Sequence, residues 1–370
     1  MTMAGRGFLT QLPSQPRRVV VMRALRLGDL ICATPALRSL RKLLPQAHIT
    51  LIGLPLAQEF VLRCRYLDDF MEFPGYAGIA DQTFLPARSL AFLARMQEEH
   101  YDLAIQLHGS GVFSNPFTVM LGAKYTVGFT RPHETNLGLD FSVPYPSQGR
   151  EVKRLLTLMY ALGAPDTGDD TELTVLPSDR AELQQHPVLD SIVQTQRPII
   201  GIHPGASIAT RRWMLDRFAN VADQLIELYG AEIVITGGKH EWEMCERVRT
   251  LMHHPAHNVA GQTSLGTLAA LIERLTLFIC NDSGPAHLAA ALGTPSITIF
   301  GAANAEDWAA SDTLKHRPLS VPVPCRPCYL SECPVGYTCL HSVTVESVLR
   351  NATALLDMHV QTGRHGELAV

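Results

Sequence analysis

The sequence lacks any apolar run approaching the ~20 residues that a bilayer-spanning helix requires, so no membrane-spanning helix is expected. It lacks an excess of positive charge: 31 Lys and Arg stand against 35 Asp and Glu, for a net charge of −4. That balance argues against a general nucleic-acid binder. Low-complexity tracts and short-period repeats are missing, and a hydrophobic content of 46% excludes disorder. No G-x-G-x-x-G follows the first candidate strand, which argues against a nicotinamide dehydrogenase. The stretch Met1 to Pro16 shows no apolar segment of signal-peptide type and reads as a loose leader. A cytoplasmic location is therefore expected. Cys32, Cys64, Cys245 and Cys280 occur singly in apolar or helical surroundings and read as core thiols.

What is present is a two-domain α/β chain, since 370 residues make two domains of ordinary size. Arg18 to Met22 is a β-branched run that reads as the first strand of a parallel sheet. A helix is expected from Thr34 to Leu44, then strands at His48–Gly53, Phe70–Phe73, Leu103–Leu107 and Tyr125–Phe129, with a helix at Arg88–Glu99. From Leu176 to Arg197 the pattern turns polar and proline-bearing, as in a connection. A second set follows: strands at Pro198–His203, Glu232–Thr236, Leu277–Cys280 and Ser296–Phe300, with helices between them and a last helix at Val345–Met358. Alternation of this kind gives doubly wound sheets. The tail from Val360 onward reads as polar and frayed.

The most informative segment is Cys280-Asn281-Asp282-Ser283-Gly284-Pro285-Ala286-His287, a strand breaking into a polar turn and then an alanine-rich helix. Such a turn gathers backbone N–H groups and a positive helix end, which suits a phosphate or diphosphate. His287 could contact that phosphate or be an ordinary buried histidine. Gly205-Ala206-Ser207 with Arg211 and Arg212 forms a second small-residue turn, with fork-shaped cations fitted to phosphate oxygens. Thr236-Gly237-Gly238 forms a third. Three glycine-bearing loops at strand C-termini in one domain are hard to explain by packing alone.

In the first half, Leu27-Gly28-Asp29 puts a carboxylate at the C-terminal end of the first strand. Asp29 could take a proton from a substrate hydroxyl, or simply stabilise the start of a helix. Arg38, Arg41 and Lys42 share one helix face, and Arg23 and Arg26 precede the turn. They form either a solvated face or an attraction for an anionic acceptor or acidic lipid. The histidines His253, His254 and His257 read as loop residues. Cys325, Cys328, Cys333 and Cys339, interleaved with prolines and glycine, fit a compact structural metal knuckle holding zinc or iron, or else free or redox-paired thiols.

In combination these motifs resemble the ADP-heptose:lipopolysaccharide heptosyltransferases, glycosyltransferase family 9. They are Leu27-Gly28-Asp29 with Thr34-Pro35-Ala36-Leu37, His203-Pro204-Gly205-Ala206 with Arg212-Trp213, Thr236-Gly237-Gly238, and Asn281 through His287. The order runs from about Arg18 to Leu349. The Cys-rich loop 325–339 also looks like a variant found in part of that family, including relatives that heptosylate proteins.

The resemblance implies a GT-B fold, with two Rossmann-like domains facing a central cleft. Residues 17–178 would form the acceptor-side domain and 179–344 the nucleotide-sugar domain. Residues 345–370 would form a helix returning to the first domain, and a tail. It implies an inverting, metal-independent transfer needing no catalytic cofactor, from an ADP-heptose-type nucleotide sugar to a saccharide acceptor, a lipid-linked core oligosaccharide. A protein acceptor, a 2-epimerase of the same fold and a non-catalytic scaffold are the alternatives. Asp29 matches the catalytic base. Ala206, Ser207, Arg211, Arg212, Gly237, Gly238, Asp282, Ser283, Gly284 and His287 fall on the donor side; Arg26, His108, Ser110 and Asn115 fall on the acceptor side. Arg211 stands where better-known members carry lysine, so the charge is kept but its shape changes. A nucleic-acid partner is not implied; peripheral contact with the cytoplasmic face of the inner membrane is.

Overall fold

Strand β1, Arg18–Met22, is buried along four consecutive residues. Apolar side chains on both faces mark a strand covered by helices on either side, the setting of a central parallel strand. The computed structural model describes residues 7–366, with side chains through 358, and bears this out. Around β1 lie β2 (His48–Gly53), β3 (Asp69–Glu72), β4 (Leu103–Gln106), β5 (Tyr125–Thr130) and β6 (Phe141–Pro144). Their order is β3-β2-β1-β4-β5-β6, with every pairing parallel. The chain divides at Thr174 and Val175 into two units.

The second unit repeats the plan with β7 (Ile199–His203), β8 (Glu232–Ile235), β9 (His257–Asn258), β10 (Leu277–Asn281), β11 (Ser296–Ile299) and β12 (His316–Leu319). Its order, β12-β11-β10-β7-β8-β9, is again parallel throughout. In both sheets the chain starts in the middle, winds one way, then returns to the other side of its first strand. The switch points therefore lie between β1 and β4 and between β7 and β10. The loops leaving the C-terminal ends of those strands are where open α/β sheets bind ligands.

Each unit has its own apolar core. Val20, Met22, Phe73, Met96 and Phe117 cluster in the first; Ile200, Ile202, Trp213, Phe218 and Ile279 cluster in the second. The final helix, Val345–Gly366, adds Val348, Ala352, Leu355 and Leu356 to the second core.

Several expectations change. The segment after Arg26 is a helix, Leu27–Cys32, that runs almost directly into Thr34–Leu43, so Asp29 lies in a helical first turn. Part of the presumed leader is docked: Phe8–Gln11 makes a 3-10 turn, Leu9 is buried, and Phe8 stacks on Phe141 with ring centroids 4.8 Å apart. Met1 to Arg6 lie outside the described residues. The tail continues the last helix to Gly366, and 367–370 lie outside the description. Cys32, Cys64, Cys245 and Cys280 are buried free thiols, as expected. Among the described residues, no helix is long and apolar enough to cross a membrane.

Candidate functional site

In the second unit the three glycine-bearing loops leave β10, β7 and β8, which are neighbours in the sheet. They therefore converge at one edge. The residue that organises them is Asn281, the last of β10 and fully buried. Its Oδ1 accepts the Trp213 N–H at 3.0 Å, and its Nδ2 donates to the Pro204 carbonyl at 2.8 Å. One amide thus ties both ends of the loop after β7 to the loop after β10. Arg212 closes the loop further, with Nε donating to the Ala206 carbonyl at 2.8 Å. Ala206 is buried and Ser207 exposed.

Gly205 has a packing reason. A Cβ there would stand 2.1 Å from Oε1 of Glu241, a buried carboxylate that accepts the Gly238 N–H at 2.7 Å. Beneath these loops His203 is buried, with Nδ1 3.0 Å from the Thr236 hydroxyl. Burial pushes its pKa below the usual histidine value, so the ring is neutral.

Asp282 follows Asn281 and is 4% exposed. Burial raises its pKa, against the pull of Arg211 and His287. Arg211 Nη1 stands 3.4 Å from Asp282 Oδ2. Neither that oxygen nor Arg211 Nε has a hydrogen-bond partner. Ser283 precedes the helix Gly284–Leu292, yet its hydroxyl turns back to the Asn281 carbonyl at 3.2 Å, and no side chain caps the helix. An uncapped helix start beside a loosely held guanidinium is a positive site suited to a phosphate group. His287 is one turn into that helix, its ring edge-on to Trp308 at 6.2 Å. Gly237 and Gly238 are part-buried on the adjoining loop.

In the first unit, Asp29 is half-buried in the first turn of Leu27–Cys32, and Arg26 is exposed at that helix's N-cap. Across the switch point, Gln106 ends β4 and is fully buried. Its Nε2 donates to the His108 carbonyl and to Ser114 Oγ, both at 2.6 Å, and so shapes the His108–Ser110 loop. His108 has a pKa lowered to about 4, by burial first and Arg23 second. Its Nδ1 is buried without a hydrogen-bond partner. Ser110 is part-exposed. Asn115 is fully buried in the helix Ser114–Met120, and its Nδ2 donates to the Phe129 carbonyl at 2.8 Å, which ties the start of that helix to β5.

One reading of the sequence is corrected, and another finds no support. The cationic face does not stand free. Arg38 donates to Thr167 Oγ1 and the Asp170 and Gly168 carbonyls and pairs with Glu172. Arg41 bonds the Ala47 and Tyr66 carbonyls and pairs with Asp68. Arg23 is buried. Both long side chains serve as internal cross-links, and Lys42 alone of the helix trio is exposed.

The thiol loop also differs. Cys339 is buried at the second core, whereas Cys325 is exposed and Cys328 and Cys333 are part-exposed. Burial raises the Cys339 pKa, and the nearby Cys333 and Cys325 add to the rise. Cys333 Sγ accepts the Tyr337 N–H at 3.1 Å. Among the described residues, no three His, Cys, Asp or Glu side chains group as metal ligands, so the zinc or iron knuckle finds no support.

The sequence reading missed Gln106, Asn281, Glu241 and the partners of Arg23. For Gln106 and Asn281 a signal existed: each is a polar residue ending an otherwise apolar strand.

Comparison with known proteins bears on the family. Residues 89–338 match the sequence model of glycosyltransferase family 9 (heptosyltransferase). The chain is 27% identical over 292 residues to lipopolysaccharide heptosyltransferase 3 of Escherichia coli K12, across 76% of this chain and 81% of the relative. It is 30% identical over 171 residues to lipooligosaccharide heptosyltransferase 2 of Campylobacter jejuni, across 45% of this chain and 53% of that protein. The solved structure of E. coli ADP-heptose lps heptosyltransferase II superposes with a TM-score of 0.73 at 21% identity, covering 93% of this chain and 99% of that one. That likeness is one of fold, the GT-B class built of Rossmann-like units. With two thirds of its length inside the family match, the chain belongs to glycosyltransferase family 9, the heptosyltransferase family.

Proposed function

We propose that this family 9 glycosyltransferase moves a heptose from ADP-heptose to a saccharide of the lipopolysaccharide inner core, with inversion at the anomeric carbon and without a catalytic metal. The observation that carries the reading is the Arg211–Asp282 pair beside the uncapped start of helix Gly284–Leu292. The donor's diphosphate docks on the turns at Ala206–Ser207 and Ser283–Gly284, with Gly237 and Gly238 allowing its nucleoside to approach the backbone. Arg211 moves from Asp282 to the phosphate oxygens, and Arg212 holds the loop. The charge that develops on the leaving ADP meets a fixed positive site. Asp282 and His287 then serve the sugar and the diphosphate.

Asp29 removes the proton from the attacking hydroxyl as the glycosidic bond forms and the bond to ADP breaks. A single displacement by that hydroxyl inverts configuration. Arg26, His108 and Ser110 bind the acceptor: Arg26 through charge, the neutral His108 ring through the Nδ1 that has no other partner. A lipid-linked acceptor brings the working enzyme to the cytoplasmic face of the inner membrane. The names of the E. coli and C. jejuni relatives support the acceptor class, and that of the solved structure supports the donor.

The test is to incubate the protein with ADP-heptose and a truncated lipopolysaccharide core, follow ADP release, and read the product's mass and anomeric configuration. Transfer that persists in EDTA and inverts the anomer is expected. A donor altered in the absence of acceptor, or transfer that stops with EDTA and resumes with Mg²⁺, would overturn the reading.

A further inference from the structure

Arg23 ends the run of β1 and is 1% exposed, an unusual place for a guanidinium. Its donors reach three separate pieces of chain. Nε donates to the Asp29 carbonyl at 2.8 Å, Nη1 to the Leu107 carbonyl at the end of β4, and Nη2 to Glu151 Oε1 at 3.2 Å. Arg23 therefore spans the switch point of the first sheet and grips the turn that carries Asp29.

That turn needs a grip. Leu27–Cys32 is a six-residue helix, and the N–H of Ala33 bonds the Leu30 and Ile31 carbonyls. The Asp29 carbonyl instead accepts from Arg23. Holding this carbonyl fixes the peptide plane after Asp29, and with it the direction of the Cα–Cβ bond.

The far side of the cross-link is equally built. Glu151 is 4% exposed in the first turn of helix Glu151–Leu162. It pairs with Arg23, accepts the Tyr145 hydroxyl through Oε2, and has Arg154 Nη1 at 3.8 Å. A buried ion pair of this kind is seldom more stabilising than apolar residues of equal volume. Its geometry, aimed at one carbonyl, points to placement of a reacting group.

We propose that Arg23 and Glu151 are positioning residues that set the Asp29 carboxylate for proton removal. This rests on the reading of Asp29 as the base. Glu151 orients the guanidinium, the guanidinium holds the Asp29 peptide, and the carboxylate meets the acceptor hydroxyl in one direction. A misplacement of about 1 Å can cost about 10²-fold in rate, so effects in kcat are expected to be large although neither side chain touches substrate.

The experiment compares Glu151→Ala, Glu151→Gln and Arg23→Lys in the full chain, each with and without Asp29→Asn. Readouts are kcat, donor KM and thermal stability. In the otherwise wild-type chain, Glu151→Ala and Arg23→Lys should lower kcat by about 10- to 100-fold with donor KM within twofold of wild type. Glu151→Gln keeps partners for Arg23 and Tyr145 and should recover most of that loss. In the Asp29→Asn background the same changes should cost no more than about twofold, because residues that act as a unit are not additive.

Equal fold-losses in both backgrounds, a loss expressed in donor KM, or unchanged kcat in the folded variants would each overturn the positioning role and leave the Asp29 reading standing. Wild-type turnover in Asp29→Asn alone would fell both. If Glu151→Ala does not fold, Arg23→Lys gives the same comparison, with Glu151→Gln as the conservative control.

Discussion

Arg211 Nη1 stands 3.4 Å from Asp282 Oδ2, near enough for charge attraction, while that carboxylate oxygen has no hydrogen bond. A buried carboxylate held this loosely costs stability, because burial penalises its charged form and the attraction of Arg211 and His287 only partly offsets this. Under the proposed function, the same looseness leaves a guanidinium that an arriving phosphate can take.

The sign of that cost can be measured. The Asp282 pKa is raised from 3.8 in the folded chain, chiefly by burial. As pH climbs above 3.8, the unfolded chain releases this proton first, so the residue's contribution to stability falls as pH rises and is least favourable above the folded pKa. Asp282→Asn removes the penalty. Its thermal midpoint at neutral pH should equal or exceed wild type, and the advantage should vanish on acidification below the usual carboxylate range. Calorimetry with ADP should show weaker binding at the same time. A destabilised variant with unchanged ADP affinity would contradict this account.

Asp29→Asn should leave the fold and ADP binding intact and lower turnover by about 10²–10⁴-fold, the usual worth of general-base help. Steady-state kinetics beside calorimetry on the same preparation check it.

Asn281→Ala should act on both stability and binding. It strands the Trp213 N–H and the Pro204 carbonyl, two groups that Asn281 now satisfies inside the protein. Each buried group left unpaired costs about 1–3 kcal/mol, so a total of roughly 2–6 kcal/mol is expected in denaturant unfolding. ADP affinity should drop because the loops after β7 and β10 lose their common tie. Asn281→Asp keeps the acceptor for Trp213 and loses the donor to Pro204, and should fall between.

Acid should destabilise the protein through its buried histidines. His316 is lowered from 6.5 to about 4, by burial first and then Lys315, and His108 is lowered to a similar value. The unfolded chain takes up these protons at higher pH than the folded chain does. Stability should therefore fall as pH drops from about 6.5 toward 4. His316→Gln can keep a contact with Ser296, whose hydroxyl is 3.0 Å from Nδ1. Thermal melts across this range should show a shallower acid slope for the variant than for wild type.

The central strands were legible because their sequences are short apolar β-branched runs: β1 and β2 begin and end where the pattern places them. Three of the four edge strands were not. Phe141–Pro144, His257–Asn258 and His316–Leu319 are short, carry Pro or His, and lie at sheet margins where one side needs no partner. The glycine turns were legible as well, since turn residues act locally. Arg23, Arg38 and Arg41 misled, because a guanidinium looks the same in sequence whether it faces water or a carboxylate far along the chain. Glu151 lies 128 residues from Arg23, and Glu172 lies 134 from Arg38.

The sequence by itself determined the two doubly wound sheets, the glycine-bearing turns in the second, and a carboxylate, Asp29, in the connection that follows β1, because periodicity and turn chemistry depend on neighbours within a few residues. Only the tertiary structure decided which strands adjoin, that Asn281 ties two loops together, that Arg23 is an internal clamp, and that Cys339 of the loop thiols is buried at the second core. Those outcomes depend on burial and on partners brought together from distant parts of the chain, and local pattern carries no record of either.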